Sequence, residues 1–158
     1  MNESNPLHPA YWAGAQSACA VLDLVALRVV ASTPAQLGAA VGEIVRQRSQ
    51  AVAVTGDAMY FAERAKLQEL MQPTQLPVVY GLRAHVVAGG LLSYGYDTAA
   101  NYRNAAKYVD KLLKGAKPAD LPVEQATKFD LVINLKTARA LGITIPKEVL
   151  LRADEVIQ

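Results

Sequence analysis

The chain has 158 residues, which is enough for one ordinary domain and too few for two comfortable ones. Hydrophobic residues make up 52% and charged residues 19%, a balance that is typical of a core-forming globular protein and excludes a disordered tail. Sixteen Lys and Arg against fourteen Asp and Glu leave a net charge of +2, too small to predict a nucleic-acid partner. The single cysteine, Cys19, excludes an internal disulfide and a cysteine-rich metal site.

Short apolar runs that predict strands alternate along the chain with patterns that predict helices. Short, wholly apolar strands of this kind are typical of a parallel sheet covered by helices on both faces, so we predict an α/β fold. The predicted strands are 24–31, 51–55, 76–80, 91–94 and a last one over 131–135. The predicted helices are 11–22, 34–47, 58–71, 82–87 and 98–113, followed by a short helix through 140 and a final helical turn from 146.

Polar and glycine residues follow three of these predicted strands. Gly56-Asp57 follows 51–55, Tyr80-Gly81 closes 76–80, and the run SYGYD, residues 93–97, closes 91–94. Ligands of open α/β sheets bind beyond the carboxyl ends of the strands. We therefore expect these three segments to line one rim that offers aromatic faces, hydroxyl groups and a carboxylate.

The second half of the chain carries a resemblance to a known family. The run from Tyr108 to Pro146, YVDKLLKGAKPADLPVEQATKFDLVINLKTARALGITIP, resembles the C-terminal signature of ABC-transporter substrate-binding proteins of the type I periplasmic-binding-protein-like kind. Upstream, NESNP, AVAVTGD and LPVVYGLRAHVVAGGLLSYGYD occur in the same order as in that family. The resemblance implies a three-layer sandwich with a mostly parallel, flavodoxin-like sheet, equivalent to the C-terminal lobe of a two-lobed receptor. It also implies a non-enzymatic protein without a cofactor, which binds a small polar solute such as an amino acid for delivery to an ABC permease.

The resemblance further implies how the chain is organised. We expect one α/β domain, 1–158, in which the first strand of the lobe is missing. Segment 88–117 resembles a part that returns to the absent N-terminal lobe. Segment 118–128 is expected to be an extended crossover, because Pro118 and Pro122 favour extended backbone. A missing central strand leaves backbone groups unpaired, so we expect a homo-oligomer or domain-swapped dimer in which a second chain supplies the pairing.

Six residues are candidates for contact with a solute. Asp57 could accept hydrogen bonds from an ammonium group or could cap the next helix, and the sequence leaves both roles open. Tyr94 and Tyr96 are expected to face different ways, with Tyr94 preferred as the ligand contact. The resemblance implies that the Ser-Tyr-Gly of this strand lies at the ligand cleft, and it adds an asparagine at the end of the missing strand. The candidates are Asn5, Asp57, Tyr80, Ser93, Tyr94 and Tyr96.

The sequence gives little evidence for metal binding or for catalysis. His8 and His85 are isolated, without a carboxylate, cysteine or second histidine at ligand spacing, so no metal is predicted. No histidine stands with a serine and an acid in the pattern of a nucleophilic triad. Arg83 could pair with a ligand carboxylate, but a solvated side chain is the simpler interpretation.

Localisation and role leave a second hypothesis open. The family lies outside the cytoplasm, yet the polar start MNESNPLHP lacks the basic and apolar parts of a secretion signal. The alternative to a transport receptor is therefore an intracellular regulatory or scaffold module derived from a truncated receptor.

Overall fold

The computed structural model describes residues 1–124 and 128–158. Five strands lie side by side in the order in which they occur in the chain. The first three run parallel, the third and fourth are antiparallel, and the last two are parallel again. The predicted α/β fold with a mostly parallel sheet is confirmed. The strands are β1 (Val52–Val54), β2 (Val78–Tyr80), β3 (Leu92–Tyr96), β4 (Phe129–Asn134) and β5 (Glu155–Ile157).

The α-helices of the described residues follow the predicted positions closely. Side-chain caps fix several of their starts: Asp97 accepts a hydrogen bond from the Ala100 amide, and Asn134 accepts one from the Thr137 amide. The helix predicted over 58–71 is interrupted at Glu63. The helices are α1 (His8–Val21), α2 (Leu37–Arg46), α3 (Ala58–Ala62), α4 (Arg64–Met71), α5 (Arg83–Val87), α6 (Thr98–Leu113), α7 (Leu135–Ala140) and α8 (Lys147–Leu150).

The main core lies where α2 and α4 cover β1 and β2. It is a continuous cluster of buried side chains, against which Val52 and Val54 of β1 pack from the sheet. The Tyr60 hydroxyl donates a 2.8 Å hydrogen bond to the Ala31 carbonyl and so ties the chain before α2 to this cluster. The buried members are Ala31, Leu37, Val41, Tyr60, Leu67, Met71, Val78 and Tyr80.

One strand prediction is wrong, and one strand of the structure was not predicted. Residues 24–31 are not a strand in the structure, and Val25 is 85% exposed, because no neighbouring strand pairs with this run among the described residues. Conversely, β5 was not predicted, since its three residues are too few to produce an alternating pattern. It forms because β4 offers it a parallel partner, with Val132 opposite Glu155.

The segment after β3 stands apart from the core. None of the residues of α6 is buried, although the helix is clearly amphipathic in sequence. Its Tyr108 hydroxyl donates to the Pro122 carbonyl, which holds the following segment against the helix. Pro118–Asp120 forms a short 3-10 turn within the predicted extended crossover 118–128, of which 125–127 lie outside the described residues. The return of 88–117 to another lobe and the homo-oligomer stay predictions.

Candidate functional site

The carboxyl ends of β1, β2 and β3 lie at one edge of the sheet, as predicted. Gly56 and Gly81 follow β1 and β2, and Gly95 is the next-to-last residue of β3. A Cβ atom added to Gly95 would lie 1.9 Å from the Gly81 carbonyl oxygen, and one added to Gly81 would lie 3.1 Å from the Gly56 nitrogen. The backbone of Gly81 therefore lies close to Gly56 on one side and to Gly95 on the other, and a side chain at Gly95 would clash with it, whereas a Cβ atom at Gly56 would meet nothing within 4 Å. These three glycines give this edge a surface of main-chain groups between the polar side chains on either side.

A cluster of polar side chains surrounds Asp57 at the β1 end of this edge. The Asn5 amide donates a 2.7 Å hydrogen bond to one carboxylate oxygen of Asp57, and the Asn2 amide donates to the same oxygen at 3.1 Å. The main-chain N–H of Met59 donates to the other oxygen at 2.8 Å, so Asp57 also caps α3. The structure thus brings the candidates Asn5 and Asp57 together, and the helix-capping role of Asp57 is observed.

His8 closes this cluster from the side of α1. Its Nδ1 accepts a 2.7 Å hydrogen bond from the Asn2 main-chain N–H, which places the ring proton on Nε2. Nε2 then lies 3.3 Å from the Thr55 hydroxyl and 3.6 Å from an Asp57 carboxylate oxygen. The imidazole is buried, so it orients its neighbours and offers no free nitrogen to solvent.

Asp57 is kept ionised by its hydrogen bonds. Burial acts to raise the pKa of Asp57, but the bonds from Asn5, Asn2 and the Met59 amide act in the opposite direction and outweigh it. The pKa of Asp57 therefore lies below its ordinary value. The negative charge of Asp57 is itself buried, with its side chain 3% exposed, and only Asn5 among its side-chain donors is part-exposed, so a solute reaches the carboxylate only by displacing the Asn5 amide.

Two of the candidates lie beneath the edge. Tyr80 is 2% exposed; its ring stacks on His85 at 4.7 Å between centroids, and its hydroxyl donates to Gln68. Burial raises the pKa of Tyr80 to about 12. Ser93 is 1% exposed. Solute contact by Tyr80 and Ser93 stays a prediction that their burial disfavours.

Tyr94 and Tyr96 lie on the same face of β3, so the prediction that they face different ways is wrong. Both belong to β3, and residues two apart on a strand point to the same side. Tyr94 is 60% exposed, and its ring stacks on Phe129 of β4 at 5.7 Å between centroids. The stacked rings of Tyr94 and Phe129 present a broad aromatic surface at the β3 end of the edge.

An open cavity of about 420 Å³ adjoins this aromatic pair. The cavity has one cationic and one anionic side chain, Arg152 and Asp154, and Asp154 accepts a hydrogen bond from the Leu131 main-chain N–H. Arg83, by contrast, is occupied by a two-point ion pair with Glu155 at 2.6 and 2.7 Å. The lining residues are Tyr94, Phe129, Leu131, Val149, Arg152 and Asp154.

Sequence reasoning missed Asn2, His8, Arg152 and Asp154. Asn2 and His8 reach Asp57 only because the chain before α1 folds back onto the end of β1, a contact between residues about fifty positions apart. The NESNP run and the isolated His8 carried no local signal of it. Within the described residues no group of three His, Cys, Asp or Glu side chains is arranged to hold a metal ion, and no helix is long and apolar enough to cross a membrane.

Comparison with known proteins assigns the family. The profile of the ABC transporter substrate binding protein family matches residues 18–157, which is most of the chain. The chain therefore belongs to the ABC transporter substrate-binding proteins, as the resemblance implied. No match was found among curated proteins.

Solved structures share the fold of the chain. The chain is 27% identical to an ABC domain from Streptococcus pneumoniae solved in complex with L-Trp, with a TM-score of 0.91 over 99% of this chain and 53% of that one. A conserved domain protein from Vibrio cholerae is 26% identical, with a TM-score of 0.90 over 99% and 52% of the two chains. A substrate-binding protein with adhesive properties from Clostridium difficile, ligand-free and open, is 16% identical and shares the fold with a TM-score of 0.69 over 100% and 52%. The chain thus spans about half the length of these proteins.

Proposed function

We propose that the chain is a solute-binding lobe of an ABC-importer receptor, which binds a small polar solute at the edge formed by Gly56, Gly81 and Gly95. The carrying observation is the close approach of three glycine backbones with an ionised carboxylate at one end and exposed aromatic rings at the other. Neighbouring strands lie about 4.8 Å apart, so β1 and β3 are separated by about 10 Å, the length of one amino acid with a long side chain.

The ends of this edge suggest how an amino acid would lie. The Asp57 carboxylate attracts the ammonium group, which takes the place of the part-exposed Asn5 amide at the carboxylate. The side chain reaches Tyr94 and Tyr96, where an aromatic solute gains stacking on the exposed rings. The relative that was solved with L-Trp supports an amino acid, and one with an aromatic side chain, as the solute.

The remaining parts of the proposal follow from the family. A substrate-binding protein delivers its solute to a permease and carries out no reaction on it, so we propose a permease as partner and no enzymatic activity. One lobe covers one side of a solute only. We therefore expect affinity in the millimolar to high micromolar range for this chain alone, equivalent to about 4 to 6 kcal/mol.

Isothermal titration with L-Trp, L-Phe, L-Tyr and L-Ala tests the proposal. We expect heat of binding for the aromatic amino acids, weakened at least several-fold by Tyr94→Leu and by Asp57→Asn. Tyr102→Leu and Asp110→Asn are the matched controls, because both side chains are exposed on α6 and neither is among the residues that form the proposed site. Binding that is equal in all four variants, or absent for every amino acid, would show that the edge is not the site.

A further inference from the structure

His85 is buried beneath segment 81–82, which joins β2 to α5, and both of its ring nitrogens face main-chain carbonyl oxygens. Nε2 lies 3.2 Å from the Tyr60 carbonyl oxygen, and Nδ1 lies 3.4 Å from the Leu82 carbonyl oxygen. A carbonyl oxygen can only accept, so each contact is a hydrogen bond only when the ring nitrogen carries a proton. The neutral imidazole has one such proton and the imidazolium has two. Only the protonated ring can therefore bond to both carbonyls.

The packing around His85 keeps the ring in this position. The ring stacks on Tyr80 with 4.7 Å between centroids and 10° between planes, and the His85 carbonyl accepts a 2.9 Å hydrogen bond from the Gly90 N–H. A Cβ atom added to Gly90 would lie 2.6 Å from the Tyr80 ring and 2.8 Å from the His85 carbonyl oxygen, so this side of the ring is tightly packed. The neutral ring must then leave one nitrogen lone pair opposite a carbonyl oxygen, which is unfavourable in a buried position.

The surroundings of His85 determine when it gains the second proton. Burial acts to lower the pKa of His85 and the charge of Arg64 on α4 adds to this, whereas the contacts with the Tyr60 and Leu82 carbonyls act to raise it. The pKa of His85 therefore lies below its ordinary value of 6.5, and the ring becomes protonated in acid solution. Further polar groups on the elements around α5 are Gln68 of α4, Tyr80 of β2, Ser93 of β3, Asn134 of β4 and, on α5 itself, Arg83 paired with Glu155 of β5.

Segment 81–82 lies in the middle of the edge. A Cβ atom on Gly81 would lie 3.1 Å from the Gly56 nitrogen, and one on Gly95 would lie 1.9 Å from the Gly81 carbonyl oxygen. Leu82 is the next residue, and its carbonyl oxygen accepts a 3.2 Å hydrogen bond from the His85 main-chain N–H. A second bond to the same oxygen, from the His85 ring, fixes the main chain directly beside Gly81.

We propose that His85 is a proton-linked positioning residue, which in its protonated form bonds to the Tyr60 and Leu82 carbonyls and fixes segment 81–82 in the middle of the edge. In the neutral form the ring keeps the shorter contact, with Tyr60, and releases the Leu82 carbonyl. A main chain that is already fixed loses less conformational freedom when a solute binds, so the protonated chain should bind the solute more tightly. This consequence rests on the proposed function, whereas the hold on segment 81–82 does not.

An NMR titration of the labelled chain without solute tests the hold on segment 81–82. The ring nitrogens are followed together with the Gly81 amide and the Leu82 carbonyl carbon, from about pH 7.5 to about pH 4.5. We expect both main-chain signals to shift with the same midpoint as the His85 ring, below pH 6.5. In His85→Phe, which keeps a ring against Tyr80 and removes both nitrogens, these shifts should be absent. The imidazole signals that remain in this variant identify His8, the second histidine of the chain.

The same titration with saturating L-Trp tests the link to the solute. We expect the affinity for L-Trp to be about threefold higher below the midpoint than above it. Bound L-Trp should then raise the midpoint of the His85 ring by about 0.5 pH unit, because the two effects are reciprocal. L-Trp does not change its own charge in this range. His85→Phe should bind L-Trp equally well at both ends of it.

Three results would overturn the proposal. A His85 ring that stays neutral until the chain unfolds never makes the second bond. Signals of Gly81 and Leu82 that do not move with the ring show that His85 does not hold the segment. A midpoint that bound L-Trp leaves unchanged shows that the hold has no effect on the solute. If L-Trp binds at no pH, the proposed function fails, and the titration without solute still decides whether His85 holds segment 81–82.

Discussion

The Asn5 side-chain amide donates a 2.7 Å hydrogen bond to the carboxylate of Asp57, across 52 positions of sequence. This bond joins the loop before α1 to the turn after β1 and holds both at the edge where we place the solute. Because Asp57 also caps α3, the same carboxylate orders the fold and sets the charge of the site.

Replacing Asp57 with asparagine should destabilise the fold in a pH-dependent way. Because the pKa of Asp57 is lowered in the folded chain, its contribution to stability is present above the unfolded value of 3.8 and is lost as the pH falls through the folded value. We expect Asp57→Asn to cost about 1 to 3 kcal/mol at pH 7 and progressively less below about pH 4. Urea unfolding at several pH values measures this, with Asp110→Asn as the control. If Asp57→Asn lowered the free energy of unfolding by the same amount at every pH, the charge of Asp57 would not be what stabilises the fold.

The glycine contacts at the edge can be tested with a matched pair of substitutions. Gly95→Ala places a Cβ atom 1.9 Å from the Gly81 carbonyl oxygen, so strands or loops must move apart, at a cost of about 2 to 3 kcal/mol. Gly42 lies in α2 with nothing within 4 Å of an added Cβ, and Gly42→Ala should stabilise the chain by about 0.5 to 1 kcal/mol. Thermal unfolding distinguishes the two. Equal effects would show that Gly95 has no special contact.

The raised pKa values of two buried tyrosines predict that the fold loses stability at alkaline pH. Burial, with the Asp57 charge as a second cause at Tyr60, raises the pKa of Tyr60 and of Tyr80 to about 12. A raised acid pKa stabilises the fold below the unfolded value of 10.0, and this contribution is lost as the pH rises towards 12. We expect the free energy of unfolding of Tyr80→Phe to fall less steeply than that of the unmodified chain between these two pH values. Tyr102→Phe should show the same fall as the unmodified chain. Identical alkaline profiles for both variants would contradict this prediction.

The fold could be predicted because local patterns and tertiary contacts agree over most of the chain. The helix over 98–113 was predicted to the residue, and in the structure Asp97 caps its start while Gly115, at a φ of +94°, follows its end. The run 24–31 has a strand composition, but a strand needs a neighbour, and composition cannot show that a neighbour is absent. The short strand β5 is the opposite case. Its sequence does not indicate a strand, but it forms one because it pairs with β4.

The site was predictable only in part. The sequence placed Asp57 just after the end of β1, where the structure has it, but it ended the third strand at Tyr94, whereas β3 continues to Tyr96. It could not show that the Tyr80 ring points into the core. The loop after a strand lies at the edge of the sheet, but the last side chain of the strand itself can still face the core. Buried partners such as Asn2 and His8 are polar residues far away in sequence, and their burial depends on the folded chain alone.

Chemical-shift mapping tests the central claim that the solute binds at the edge of β1, β2 and β3. In a titration of labelled chain with L-Trp, the amides of Gly56, Gly81 and Gly95 should shift together and saturate with one affinity. Shifts confined to α6 or to the α2 surface, with these three glycines unmoved at saturation, would contradict it.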